Sequence, residues 1–424
     1  MAQLTDDCFA FGGPLLTVDD VERLIAARVN SLTGTETVQM SAALGRVLAH
    51  DLISRIALPS FDNSAVDGYA VAYRGLNTVN ETRLSVHERI LAGHAGTRAV
   101  GPGEAARIFT GAPMPGGADT VFMQEDVRID GDHVIVPAGL KRGANRRLKG
   151  EDVKAGQAVL PQGCRLAPQH VAMASAVGET HAVVRRRVRV ALFSTGDEII
   201  APGSPLRGAA VHDANRPLLA SMAAKLGAEI TDLGILADEV DSLSDALKRA
   251  AASHDLVVTS GGVSTGEADY VRTAVERVGK LVFWRTAIKP GRPVAMGVLP
   301  GADAGESAAF VGLPGNPVAA FVTFARIVRP LILRLGGALP EPMLAFPVCA
   351  AFGYRKKTGR REYVRVALIR AADGTIEAHK FAQDGAGVIS SMTETDGLVE
   401  LPEDITGVEP GDMVGFLSYA AFIG

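Results

Sequence analysis

The sequence predicts a multidomain α/β plus β protein: a doubly wound α/β domain, a discontinuous linking domain, an inserted β-rich domain and a C-terminal β domain. Three observations carry this. At 424 residues the chain exceeds what one core usually organises, about 150 residues per domain being ordinary. Apolar runs of strand length alternate with helical periodicities over residues 186–335, the pattern of a parallel sheet covered on both faces by helices. On either side of that stretch lie short β-prone pieces broken by Gly, Pro and Asp.

In chain order, Thr17 precedes Val18, Val21, Leu24, Ile25 and Val29, with Asp20 three residues on, which predicts a capped amphipathic helix. A second short helix is expected after Ser41. Residues 51–150 carry the glycine- and proline-punctuated texture of the inserted domain, including an Asp130-Gly131 turn. Residues 151–185 return to a mixed pattern, with Pro168 at a first helical position. They are expected to join residues 1–50 in the linking domain. The α/β domain is expected over 186–335, with strands at 188–193, 229–236, 256–259, 281–286 and 309–313. Helices are expected at 215–226, 242–252, 269–278 and from Pro317 onward. The β domain fills 336–424, with a strand near 363–368.

Hydrophobic residues make up 47% and charged residues 21%, as in ordinary globular proteins rather than disordered chains. A net charge of −4 supplies no general attraction to nucleic acid or anionic membrane, so neither is expected as a partner. Cys8, Cys164 and Cys349 are too scattered for a disulfide framework or a zinc site. The first residues carry Asp6 and Asp7 where a signal peptide needs basic ones, and no apolar run approaches the ~18 residues of a membrane span. The expected location is the cytoplasm.

In open α/β sheets, ligands bind beyond the carboxyl ends of the strands. Five chemically rich loops fall there: 194–198, 237–239, 260–269, 289–293 and 313–317. Glycines such as Gly261, Gly262 and Gly266, with Ser260 and Ser264 beside them, let backbone N–H groups approach phosphate oxygens at a helix N-terminus. Glu198, Asp238 and Asp269 suit Mg²⁺, which takes one or two carboxylates together with phosphates and waters. Lys289 and Arg292 suit an oxyanion. Each loop alone would be an ordinary turn or helix cap; together they point to a phosphate-containing ligand with a divalent metal. No convincing Ser/His/Asp or Cys/His arrangement offers a protein nucleophile. Chemistry read from residue types stops there.

Residues 58–71, from Leu58-Pro59-Ser60-Phe61-Asp62-Asn63 to Asp67-Gly68-Tyr69-Ala70-Val71, resemble the signature of the molybdopterin molybdenumtransferases, the MoeA and gephyrin E-domain family. The likeness continues through Thr110-Gly111-Ala112-Pro113, Gly150-Glu151-Asp152, SGGVSTGEADY at 260–270 and GLPGNP at 312–317, and weakens after about 340. It implies an elongated homodimer of four-domain subunits and a Mg²⁺-dependent conversion of adenylylated molybdopterin and molybdate into molybdenum cofactor and AMP. The α/β domain would then be the molybdopterin-binding domain. By position, Asp67 and Thr110 match family active-site residues of the inserted domain, which reaches the partner subunit's cleft. Glu198, Asp238, Asp269, Lys289, Pro314 and Pro317 match residues lining the α/β cleft, with Gly315 and Asn316 between the prolines.

Arg147 is expected at the ligand, and Arg292, Arg365 and Ser391 at an oxyanion pocket between the α/β and C-terminal domains. Arg285 and Arg292 stand where relatives often have Lys, and His212-Asp213-Ala214-Asn215 departs from a common Tyr-Asp-Thr-Asn, which leaves oxyanion selectivity open. Implied partners are a second copy, a molybdopterin adenylyltransferase and molybdoenzyme chaperones. Two alternatives stay open: a molybdopterin adenylyltransferase, because that enzyme shares the α/β domain, and a non-catalytic cofactor carrier or scaffold.

Overall fold

The computed structural model describes residues 15–30, 33–263, 270–303 and 305–423. Its centre is a six-stranded sheet in the order Glu229–Leu236, Arg189–Thr195, Leu256–Ser260, Ser307–Leu313, Pro293–Pro300, Lys280–Arg285. The first four strands pair in parallel. Pro293–Pro300 runs antiparallel to both of its neighbours. The expectation of a wholly parallel sheet is corrected there: an apolar stretch opened by a proline forms the returning arm of two hairpins, a common addition to doubly wound sheets.

Alternate residues of each strand face opposite sides, so successive side chains enter two different cores. Val190, Leu192, Val258, Val311 and Leu313 pack under the helix Asn215–Lys225 and the run of helix from Pro317 to Leu335. Ala191, Phe193, Val257 and Phe310 pack under Val240–Ala251 and Tyr270–Val278. With helices on both faces, the carboxyl ends of the strands remain the open edge.

The N-terminal helix Val18–Arg28 has the anticipated capping box: Thr17 Oγ1 accepts from Asp20 N at 3.1 Å, and Asp20 Oδ2 accepts from Thr17 N at 3.1 Å. Its apolar face, Val18, Val21 and Ile25, is buried in the first α/β core. The short helix expected after Ser41 is only a 3-10 turn, Met40–Ala42. Immediately before that turn, Thr35–Gln39 pairs antiparallel with His181–Arg185. Met40, Leu48, Leu160, Leu166, Ala174 and Val184 form a separate small core. Leu52–Ile53 pairs with Ala158–Leu160 where the chain leaves for, and returns from, a second six-stranded sheet. That sheet spans residues 68–136, and the Asp130-Gly131 turn joins its last two strands.

The C-terminal segment closes on itself. Arg361–Arg370 pairs with Ile376–Lys380, which pairs with Phe346–Ala350, then Met413–Ser418, then Gly397–Leu401, which pairs back to Arg361–Arg370. Closure leaves no free sheet edge among these five strands. A two-residue strand of the α/β region, Ile288–Lys289, docks in parallel on Arg361–Glu362 and ties the barrel to the central sheet. Among the described residues, no helix is long and apolar enough to cross a membrane.

Candidate active-site cleft

The loops that follow the parallel strands enclose a cavity of about 920 Å³. Glu198, Asp238, Ser260, Gly261, Gly262, Arg285, Arg292, Pro314, Gly315, Asn316 and Pro317 line it. The structure thus brings together expected residues from all five of those loops. Ser264, Gly266 and Asp269 lie outside the described residues.

Local chemistry fixes the cleft's shape. Gly261 adopts φ +90°, and a Cβ there would sit 2.4 Å from the Thr195 carbonyl oxygen, so the loop can pass the end of the neighbouring strand only as glycine. Thr195 Oγ1 donates to Asp238 Oδ1 at 3.1 Å. Burial pushes the Asp238 carboxyl above its ordinary value, and the nearby charges of Asp197 and Glu198 add to that, while the Thr195 hydrogen bond opposes it. A carboxylate crowded by like charges is relieved by a bound cation. Among the described residues there is no cluster of three or more His, Cys, Asp or Glu side chains able to hold a metal; Glu198 and Asp238 both line the cavity.

Ser260 has a structural engagement that residue type did not reveal. Asn215 Nδ2 donates to Ser260 Oγ and to the Gly315 carbonyl, both at 2.7 Å, and so clamps the 260 and 314 loops together. Asn215 was not singled out from sequence as a site residue, yet it lines the cavity as the first residue of its helix.

A second cavity, about 330 Å³, lies between the α/β region and the barrel. Lys289, Arg292, Tyr354, Arg365, Lys380 and Asp384 contribute to it, and Arg292, Pro293, Pro314 and Asn316 line both cavities. Lys289 Nζ donates to Tyr354 Oη and Glu362 Oε2, each at 3.0 Å. Burial disfavours this ammonium, but those hydrogen bonds outweigh it and hold Lys289 above its usual pKa. Arg365 is 5% exposed, donates to the Gln383 carbonyl at 2.6 Å, and leaves its buried Nε without a partner among the described residues. Ser391 does not line this cavity: it is fully buried, and its hydroxyl donates to the Val388 carbonyl. Its expected place in the oxyanion pocket is therefore corrected, because a short helical turn folds the hydroxyl back on the backbone.

Asp67 and Thr110 meet each other in loops at one end of the second six-stranded sheet, but neither lines the two cavities of the same chain. Gly68 directs that loop, since a Cβ would fall 1.8 Å from the Phe122 carbonyl oxygen of the paired strand. Arg147 also lies away from both cavities and is engaged by Glu151, with Nε to Oε1 at 2.6 Å.

Comparisons with known proteins agree along the length of the chain. Residues 16–178 match the family described as MoeA N-terminal region (domain I and II), 191–334 match a probable molybdopterin binding domain, and 347–419 match MoeA C-terminal region (domain IV). A molybdopterin molybdenumtransferase of Haemophilus influenzae is 37% identical over 402 residues, covering 94% of this chain and 98% of that protein. One from Nostoc is 35% identical, covering 94% and 92%. The crystal structure of a molybdopterin biosynthesis moeA protein from Pyrococcus horikoshii OT3 superposes with a TM-score of 0.79 at 29% identity, covering 96% of this chain and all of that one, 100%.

Proposed function

We start from the fact that this chain belongs to the MoeA family of molybdopterin molybdenumtransferases, and infer that it is a transferase of molybdenum cofactor biosynthesis which inserts molybdenum into molybdopterin. The observation that carries the assignment is the pair of adjoining cavities. One has the glycine loops and carboxylates that suit a phosphate-bearing pterin, the other has the cations that suit an oxyanion, and Arg292 belongs to both. The adenylyltransferase alternative is not favoured, because the family match extends through the domains before and after the α/β domain.

In the finer reading, adenylylated molybdopterin lies in the larger cavity and molybdate in the smaller one. Cleavage of the phosphoanhydride releases AMP as molybdenum enters the dithiolene. The dithiolene sulfurs belong to the pterin, which is why no cysteine cluster is needed. Glu198 and Asp238 fit Mg²⁺, with Asp269 as a further candidate from sequence. Bound there, the ion supplies charge neutralisation at the phosphates. The chain's own residues orient the reactants: Gly261 is tied to the sheet edge by its N–H bond to the Leu313 carbonyl, which leaves the Gly262 N–H of the turn for the phosphates, and Lys289, Arg292 and Arg365 hold the oxyanion by charge-assisted hydrogen bonds.

Asp67 and Thr110 serve the cleft of a partner copy in a homodimer. That neither lines a cavity described in its own chain supports that placement. Arg147 belongs to the same inserted domain and contacts ligand by the same route. The protein works in the cytoplasm, receiving its substrate from a molybdopterin adenylyltransferase and passing product to molybdoenzyme chaperones.

Incubation with adenylylated molybdopterin tests the reaction. Molybdate-dependent AMP release is the expected result. Product formed instead from ATP and free molybdopterin would mark an adenylyltransferase, and neither activity would mark a carrier.

A further inference from the structure

A lysine is a flexible oxyanion ligand: its long stem loses much rotamer freedom when the ammonium is fixed in one place. Lys289 is fixed. Its Nζ, the Tyr354 hydroxyl and the Glu362 carboxylate form a closed triangle, in which Lys289 donates to both partners at 3.0 Å and Tyr354 Oη donates to Glu362 Oε2 at 2.8 Å.

The arrangement has a direction. Lys289 and Tyr354 line the smaller cavity, whereas Glu362 does not and is 1% exposed. The carboxylate therefore sits behind the ammonium, shielded from any anion in front of it. Arg360 Nε donates to its other oxygen, Oε1, at 2.6 Å. Two of the three ammonium hydrogens are engaged, and the Lys289 side chain remains 43% exposed, so one donor stays available to the cavity. Backbone pairing sets the register, because Lys289 lies directly opposite Glu362 where the two-residue strand docks on the barrel. Three residues further along the same barrel strand, Arg365 reaches the same cavity.

We propose that Glu362 and Tyr354 are positioning residues for the molybdenum-inserting reaction: together they hold the charged Lys289 ammonium on the wall of the smaller cavity, aimed at a tetrahedral oxyanion. This rests on the assignment of that cavity to molybdate. Glu362 does not reach the cavity, and the hydroxyl of Tyr354 is taken up by Lys289 and Glu362. Both act by removing the lysine's freedom to swing away and by keeping a counter-charge on its far side.

The test compares Glu362→Gln, Tyr354→Phe, Lys289→Ala and Arg360→Ala in two measurements: molybdate binding to the full chain by calorimetry, and the molybdate dependence of AMP release. Glu362→Gln and Tyr354→Phe should each raise the molybdate Kd and KM by about tenfold, the scale of one charge-assisted hydrogen bond, with kcat and the KM for adenylylated molybdopterin little changed. Arg360→Ala, which removes only the partner of the other Glu362 oxygen, should raise both constants less than Glu362→Gln does. Tyr354→Phe keeps the ring and its packing, so it remains informative if Glu362→Gln does not fold. The proposal is overturned if Lys289→Ala weakens molybdate binding while Tyr354→Phe and folded Glu362→Gln do not. If Lys289→Ala itself leaves molybdate binding intact, the assignment of the cavity fails, and the positioning role fails with it.

Discussion

Thr110 donates both its backbone N–H and its hydroxyl to the same oxygen of Asp67, Oδ1, at 2.8 and 2.7 Å. These two bonds hold the Asp67 carboxyl below its ordinary pKa, the backbone bond contributing most, the hydroxyl next and the charge of Arg107 adding to them. Asp67 is thus kept as an anion with Oδ1 occupied and, among the described residues, no hydrogen bond to Oδ2. Thr110→Val removes the hydroxyl bond and keeps the backbone one. The Asp67 titration, followed by carbonyl chemical shift, should move upward toward the ordinary carboxylate value. Because the folded pKa is depressed, the stabilisation these bonds give is present above the unfolded pKa and is lost as pH falls through the folded one. Thr110→Val should accordingly flatten the acid-side fall of stability. An unmoved titration would mean that the hydroxyl bond does not form in solution.

A site completed by a second copy should show complementation. Asp67→Ala and Glu198→Ala subunits each lack one half of the proposed assembly, so mixed dimers contain one cleft with both defects and one with neither. Activity should return on mixing two inactive preparations, toward about half of the wild-type value per heterodimer by this count of intact clefts. No recovery, once subunit exchange has been verified by mass spectrometry, would place Asp67 outside the partner's cleft.

Gly261 offers a test of the cleft's backbone. Gly261→Ala would place its Cβ 2.4 Å from the Thr195 carbonyl oxygen at φ +90°, so the loop must move. The expected loss of stability is about 1–3 kcal/mol, from overpacking and backbone strain. Affinity for the phosphate-bearing ligand should fall as well, because the turn that lines the cavity is displaced with it. Urea unfolding midpoints and ligand titration measure the two effects separately; unchanged midpoints would contradict the close approach to Thr195.

Much of this organisation was legible because it follows local rules. Thr17 and Asp20 announced their helix by spacing, and the loops after each parallel strand were located by sheet topology before any contact was known. Pro293–Pro300 escaped because an apolar octet that opens and closes with proline has no period that distinguishes a strand from a connection. The partnerships inside the sites escaped for a different reason. Lys289 and Glu362 are 73 residues apart, and Thr110 and Asp67 are 43 apart. Only folding decides that the first pair becomes an ion pair behind a cavity wall. Residue type named Ser260 and Ser391 as ligand donors, but their hydroxyls are engaged by Asn215 and the Val388 carbonyl, a choice that short-range pattern does not encode.

Arg292 decides how the two cavities divide the work. It lines both, together with Pro293, Pro314 and Asn316, and among the described residues its guanidinium has no hydrogen bond or ion pair. Lys289, by contrast, is already held by Glu362 and Tyr354, and Arg365 by the Gln383 carbonyl. An unengaged guanidinium keeps five donors in a planar fork, enough to grip a tetrahedral anion at two oxygens. If that anion is molybdate, Arg292→Ala should raise the molybdate concentration needed for half-maximal AMP release by about tenfold to a hundredfold, the scale of a charged hydrogen-bonding contact. Binding of adenylylated molybdopterin, measured without molybdate, should then be nearly unchanged. Arg292→Lys should recover part of the loss, since the charge returns without the fork. The opposite pattern, weakened pterin binding with an unaltered molybdate requirement, would assign Arg292 to the phosphates of the larger cavity and leave Lys289 and Arg365 as the oxyanion's cations.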